Sequence, residues 1–359
     1  MTRRLLLLLP LLLILVVLSL SLGSVRISRS DLWTALTPSS RPAGSAGESG
    51  VTTDRSVNAN ANANANAAVA RVIVRPVRVP RTLTAIGAGA AVSLAGLLMQ
   101  TVFRNALAGP GVLGVTSGAG LGVALVLLAG AGSGAGVPVG VAAVVGASAV
   151  LGLALAVNRI IGQPVILLVL GLLFGYAASA GTTLLMASSP AEGLERYVVW
   201  SFGSFALPPG PGPIVLLVTV VAVTLLLTGS GPRLDALLLG PLYAESSGLN
   251  ARTAQGLLIL VSGVLTGMVT ALAGPITFIG VAVPHLARGW IRSSRHTALV
   301  PTTAVLGASL GVAADIVSRL PGVERVLPLN AVMALVGVPV VLSVLLRPGR
   351  RVTEEGIGL

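Results

Sequence analysis

Ten apolar runs, most of them close to 20 residues long, constrain this chain more than any other feature. A helix needs about 20 apolar residues to cross the hydrocarbon core of a bilayer. Inside that core only structures that satisfy their own backbone groups persist. The runs fall at residues 5–22, 82–103, 112–131, 137–157, 164–187, 213–228, 254–273, 276–291, 300–318 and 329–346. This pattern predicts an all-α polytopic membrane protein of about ten transmembrane helices. Charge agrees, since charged residues make up 9% of the 359 residues against roughly 25% in soluble domains. That excludes a cytosolic enzyme, and the apolar excess excludes a disordered chain. Gly (45) and Pro (22) are abundant, which transmembrane helices tolerate far better than soluble ones. Gly-x-x-x-Gly pairs at Gly118/Gly122, Gly171/Gly175, Gly263/Gly267 and Gly307/Gly311 predict close helix contacts in a tight bundle.

Two residue types are missing. Without Cys there is no disulfide framework, thiolate metal site or Cys nucleophile. Without Lys, because all 23 basic residues are Arg, there is no Walker A lysine and no Schiff base. The chain therefore supplies no nucleotide site of that type. The net charge of +12 raises nucleic acid as a partner, but the Arg residues are scattered between apolar runs. Anchoring to membrane lipid at the interfaces is the better reading, and no nucleic-acid partner is expected.

The domain plan follows. Residues 1–23 form a first transmembrane helix; a signal peptide has a similar profile, but no convincing cleavage site follows the run. Residues 24–77 form an external loop carrying the low-complexity Asn-Ala tract at 58–66, residues 78–347 the transmembrane core, and residues 348–359 a cytoplasmic tail. The Arg bias of the short loops places both termini in the cytoplasm of a multi-pass cell-membrane protein. Eight Arg residues between Arg26 and Arg81 oppose that orientation, although long loops cross largely regardless of charge.

The first informative motif is Arg78-Val79-Pro80-Arg81-Thr82-Leu83. Positive charge at a helix N-terminus is disfavoured by the dipole, so an acidic partner surface or lipid phosphate would have to want it. A second stretch runs Gln100-Thr101-Val102-Phe103-Arg104-Asn105-Ala106-Leu107-Ala108-Gly109-Pro110-Gly111, then Leu113-Gly114 and Ser117-Gly118-Ala119. Asp315 lies inside an apolar span, which marks a functional candidate. It suits an ion or proton relay, or pairing with Arg319 one turn on. His285 and His296 are isolated and read as packing residues, not metal ligands.

From Arg78 to Gly120 the chain resembles the FecCD-type permeases, membrane subunits of type II ABC importers for iron-siderophores, haem and cobalamin. Ala106 stands where that pattern has Pro, and Gly109 where it has Asp. The resemblance continues through Trp200-Ser201-Phe202-Gly203-Ser204, through Gly240-Pro241-Leu242-Tyr243-Ala244-Glu245-Ser246-Ser247-Gly248-Leu249, and through Gly274-Pro275-Ile276-Thr277-Phe278 to Pro284-His285-Leu286-Ala287-Arg288. It ends on Ala314-Asp315 to Arg319 and Leu327-Pro328, with Ser247 for the usual Leu and Val326 for the usual acidic residue. The likeness implies the type II importer permease fold. It implies that Arg78, Arg81 and Arg319 dock an extracellular or periplasmic substrate-binding protein. It places Asn105 and Leu107 at a cytoplasmic gate, and Gly240, Ala244, Glu245, Gly248 and Leu249 in the loop that seats on the ATPase. The implied partners are a cytoplasmic ABC ATPase dimer and a second permease subunit, a copy or a paralogue, with ATP on the partner subunits and no cofactor or metal on this chain. The expected activity is import of an iron-siderophore or similar chelate by alternating access along the subunit interface, without bond chemistry. The alternative is an ion- or proton-coupled secondary transporter.

Overall fold

An apolar helix with no polar face has to be surrounded, and the second run is such a helix. The computed structural model describes residues 2–22, 72–130, 137–161, 164–206, 210–319 and 327–345. The Asn-Ala tract and the tail at 348–359 lie outside the described residues. The elements are α1 (Thr2–Leu6), α2 (Leu8–Ser21), a π-helical turn (Val74–Arg78) that runs into α3 (Val79–Val102), a 3-10 turn (Pro110–Leu113), α4 (Val115–Leu127), α5 (Val139–Ile161) and α6 (Pro164–Ala187). They continue with α7 (Ala191–Ser201), α8 (Gly212–Gly229), α9 (Gly231–Leu239), α10 (Pro241–Ser246), α11 (Ala251–Ala273), α12 (Ile279–Ile291), α13 (His296–Ser318) and α14 (Leu329–Leu345).

Each of the ten runs carries helix, but their lengths differ. Among the described residues seven segments are long and apolar enough to cross a bilayer, and Val115–Leu127 and Leu329–Ser343 are shorter apolar helices. The run at 276–291 becomes helical at Ile279 and yields the 13-residue α12. Residues 72–78 are helical and lead into the second run.

α3 is the axis of the bundle. Its Ala, Gly and Ser residues leave room for neighbours on every side, and α8, α11, α12 and α13 pack around it. Gly89 abuts Gly307 and Gly311 of α13, and Gly96 abuts Gly280 of α12. A methyl group at Gly89 would overlap the Gly307 carbonyl. The four Gly-x-x-x-Gly pairs all sit at helix contacts: Gly118 and Gly122 meet Gly146 and Ala142, Gly171 and Gly175 meet Leu113 and Gly114, and Gly263 and Gly267 meet Leu151 and Ala147. Small residues let these backbones approach where lipid offers no hydrophobic drive for association. The outer faces are apolar, with Val218, Leu225 and Leu226 of α8 and Leu172 and Leu184 of α6 exposed. A surface of that kind suits hydrocarbon.

Candidate functional site

The predicted site residues fall at opposite ends of this bundle. At one end the N-terminus of α3 meets the C-termini of α2 and α13. Arg81 Nε donates to Asp315 Oδ1 at 2.7 Å, and Arg319 Nη2 donates to Asp315 Oδ2 at 2.5 Å. Asp315 is completely buried, and the two guanidinium side chains are 12% and 13% exposed. The carboxylate thus gives one oxygen to each Arg, in the charge-assisted geometry that makes such bonds strong. Arg78, itself buried, donates from Nη1 to the carbonyls of Leu20 (2.6 Å) and Ser21 (3.0 Å). A cation there closes the C-terminus of α2 and answers its dipole. Ser19 completes the knot through Thr82 (3.0 Å) and Arg319 (3.2 Å). The charge at the mouth of α3 is therefore met first by a carboxylate of its own chain. Pairing of Asp315 with Arg319 was legible one turn apart, whereas the second partner, Arg81, was not.

Three of the sequence motifs converge on a residue none of them contained. Asn330 donates from Nδ2 to the Ser201 carbonyl (3.1 Å) and from its backbone to the Phe202 carbonyl (3.1 Å), and its Oδ1 accepts from the Thr277 amide (3.3 Å). The Ser204 amide donates to the Ala273 carbonyl at 2.8 Å. Gly203 and Gly274 both have positive φ, +73° and +76°, a region glycine enters without steric cost. These stretches form one tie between α7, α11 and α14. Their short, polar Ser, Gly and Asn content was the available signal.

At the other end, α3 closes on Thr101 and Val102 and hands over to the Asn105–Leu107 turn. Asn105 Oδ1 accepts from the Leu107 amide at 2.9 Å, an Asx turn that shapes the segment locally. Both candidate gate residues are exposed. His285 of α12 donates from Nε2 to the Ala106 carbonyl at 2.7 Å. Arg288 Nη1 donates to Gln100 Oε1 at 2.7 Å, and Gln100 Nε2 donates to the Val281 carbonyl at 3.3 Å. His296, the first residue of α13, sits 2.6 Å from Asp235 of α9 through Nδ1 and 3.0 Å from the Thr101 hydroxyl through Nε2. His296 thus ties three helices together, and His285 ties α12 to the turn after α3. Asp235 had no part in the sequence reading and Thr101 entered only as a letter of a motif, because nothing in spacing links residues 61 and 195 positions away to His296.

The predicted coupling loop is a short helix entered by a Gly-Pro turn and closed at its C-terminus. Gly240, at φ +125°, turns the chain out of α9, and Pro241 starts α10. The Leu249 amide donates to the Ala244 carbonyl (3.0 Å) and the Gly248 amide to the Glu245 carbonyl (2.9 Å), with Gly248 at φ +79°. This is a Schellman closure. Asn250 then caps α11, its side chain accepting from the Thr253 amide at 3.0 Å. Ala244 anchors the helix in the core, while Glu245, Tyr243 and Leu242 face outward, Leu242 at 84% exposure. Arg104 lies over Gly240, so the turn and the short helix are neighbours.

Between α4, α6 and α7 lies a cleft of about 320 Å³ lined by hydroxyls, among them Ser117, Ser179, Thr182 and Tyr197. Burial pushes the Tyr197 phenol above its ordinary pKa, with a hydrogen bond to Thr182 acting the other way. The phenol stays protonated and the cleft uncharged.

A helical bundle that crosses the membrane repeatedly and carries short closed helices at one end has the build of a transport permease. The FecCD transport family matches residues 11–347, and the chain belongs to that family. It is similar to the vitamin B12 import system permease protein BtuC of Escherichia coli O157:H7, 32% identical over 275 residues that cover 76% of this chain and 83% of that one. It is similar also to BtuC of Citrobacter koseri, 34% identical over 284 residues, 79% and 85% of the two chains. A solved structure described as an inward-facing conformation of a metal-chelate type ABC transporter superposes with a TM-score of 0.77 at 27% identity, covering 96% of this chain and 99% of that one. PsaBC from Streptococcus pneumoniae, in complex with a Fab, shares the fold at a TM-score of 0.51 and 13% identity, covering 74% and 89%. The chain is accordingly an ABC importer permease with the type II importer permease fold, and a multi-pass membrane protein.

Proposed function

We propose that this chain, paired with a second permease subunit, passes a bulky metal chelate from an external binding protein to the cytoplasm, driven by ATP hydrolysis on a separate ATPase dimer. Iron-siderophore is the first ligand in this reading. The vitamin B12 permeases among its relatives make a corrinoid the second. The single observation that carries the proposal is α10, a short helix closed at its C-terminus, with an exposed Leu242–Tyr243 edge at one end of a transmembrane bundle. Such an element suits a socket on a soluble partner.

In this reading the Asn105 end faces the cytoplasm, and the termini with it. Arg4, Arg104, Arg159, Arg233, Arg252 and Arg292 lie at that end, in keeping with the positive-inside bias. Among the described residues, the knot at the opposite end holds three guanidinium groups against one carboxylate, an excess of positive charge that suits an acidic binding protein. Charge of that kind steers docking and sets register. Asp315, with both oxygens occupied by guanidinium groups, is poorly placed to relay protons, which weighs against the secondary-transporter alternative.

The test is reconstitution of the permease with its ATPase and binding protein in proteoliposomes. Uptake of a ferric hydroxamate chelate, haem and cyanocobalamin is measured separately. Accumulation of one of them that requires ATP hydrolysis and survives an uncoupler is expected. Uptake that persists without the ATPase and collapses with the uncoupler would overturn the proposal.

A further inference from the structure

We propose that the Asp235–His296–Thr101 bridge is the linkage through which α9 and α10 move the Asn105–Leu107 turn. The inference rests on the permease reading above and assigns positioning roles to residues outside the coupling helix and the turn.

The bridge joins three elements at one point. Asp235 Oδ1 accepts twice from His296, from the backbone amide at 3.0 Å and from Nδ1 at 2.6 Å. Arg295, the residue before α13, provides no side-chain cap. Asp235 therefore caps α13 from α9, and its charge faces the positive end of the α13 dipole. The far side of the imidazole meets Thr101, whose hydroxyl also reaches the Leu97 carbonyl at 2.9 Å in the last turn of α3. His296 is 1% exposed. An apolar side chain would fill that volume without the desolvation cost of an imidazole. What the polar bridge adds is direction, a fixed register between α9, α13 and α3.

The geometry also defines the path of motion. α10 continues from α9 through Gly240, so displacement of α10 carries α9 and Asp235 with it. The ring then bears on Thr101, three residues before Arg104, whose amide reaches the Thr101 carbonyl at 3.4 Å. Beyond it, the turn is held on α12 by His285 through the Ala106 carbonyl. The Asn105–Leu107 turn thus hangs between a bridge that follows α9 and an anchor that belongs to α12. Gln100 also ties the last turn of α3 to Arg288 and Val281 of α12, so it is movement against that tie that reshapes the turn.

The experiment uses the full complex in proteoliposomes, with Asp235→Ala and Thr101→Val as breaking variants and Asp235→Asn as the conservative one. Loss of hydrogen bonds to a charged group predicts an uptake defect of about tenfold for Asp235→Ala. ATPase co-purification and basal hydrolysis should stay near wild type. Thr101→Val should shift uptake in the same direction by a smaller factor. Asp235→Asn, whose amide oxygen still accepts both bonds, should restore uptake. The chain has no cysteine, so Ala106→Cys labelled with a maleimide reports on the turn directly. Its labelling rate should respond to ATP, and that response should vanish with Asp235→Ala. Uptake and ATPase association falling in parallel would overturn the linkage and leave a merely structural bridge. So would wild-type uptake in Asp235→Ala. A wild-type complex that takes up no chelate with ATP would instead overturn the permease reading.

Discussion

The two ends of the bundle are fastened by different chemistry. At the Asp315 end a fully buried carboxylate holds two guanidinium groups, and a third guanidinium closes a helix terminus. At the Asn105 end the charged groups Asp235 and Arg288 each meet an uncharged or titratable partner, His296 and Gln100, and the remaining fastenings are an Asx turn, a Thr101–His296 bond and a bond from His285 to a carbonyl. Breaking a buried ion pair between permanently charged groups strands an uncompensated charge, whereas losing a hydrogen bond with a neutral partner costs less. The difference teaches that one end is suited to keep its shape and the other to change it in small steps.

The largest test of that contrast is Asp315→Leu. It strands two guanidinium groups, and a loss of about 3–5 kcal/mol is expected, measured as thermal unfolding of the detergent-solubilised chain. A cost no greater than that of Asp235→Ala would break the comparison. Between the ends, Gly89→Ala forces α3 and α13 apart, and overpacking should cost about 1–3 kcal/mol in the same assay. At the Asn105 end, Asn250→Ala removes the α11 cap for about 1 kcal/mol. Its effect should appear more in hydrogen exchange of residues 240–253 than in global melting. Arg78→Gln keeps a donor for the Leu20 and Ser21 carbonyls but removes a charge. Binding-protein affinity should fall about threefold at low salt and converge with wild type at high salt; equal affinity at low salt would remove Arg78 from the docking surface. The smallest effect belongs to Glu192→Gln. It breaks an exposed i,i+4 pair with Arg196, and stability should move by no more than about 0.5 kcal/mol.

The spans were legible because a bilayer demands long apolar runs, and each run left its mark in a chain with few charges. Packing was legible where small residues recur four apart, as at Gly307 and Gly311. α7 was not, because Glu192, Glu195 and Arg196 interrupt an 11-residue helix that lies between two longer runs. α9 and α10 begin with Gly-Pro pairs, a helix-start signal, yet they are too short for any period to show. At the sites, Asp315 and Arg319 stand one turn apart and could be paired by inspection. Arg81 is 234 positions from Asp315, and Asp235 is 61 from His296. Distances of that kind are set by tertiary packing alone. The roles of Asn105 and Leu107 came from family likeness, and geometry adds the local turn and the His285 anchor.

The knot around Asp315 also has a consequence for how the protein is made. The first two helices reach the membrane carrying Arg78 and Arg81, and the carboxylate that answers Arg81 follows 234 residues later. Until α13 has been threaded in, that guanidinium has no carboxylate from its own chain in the knot. A chain that stops short of α13 therefore leaves Arg81 without its Asp315 partner at the membrane edge. Insertion of α13 and the pairing of Arg81 are the same event.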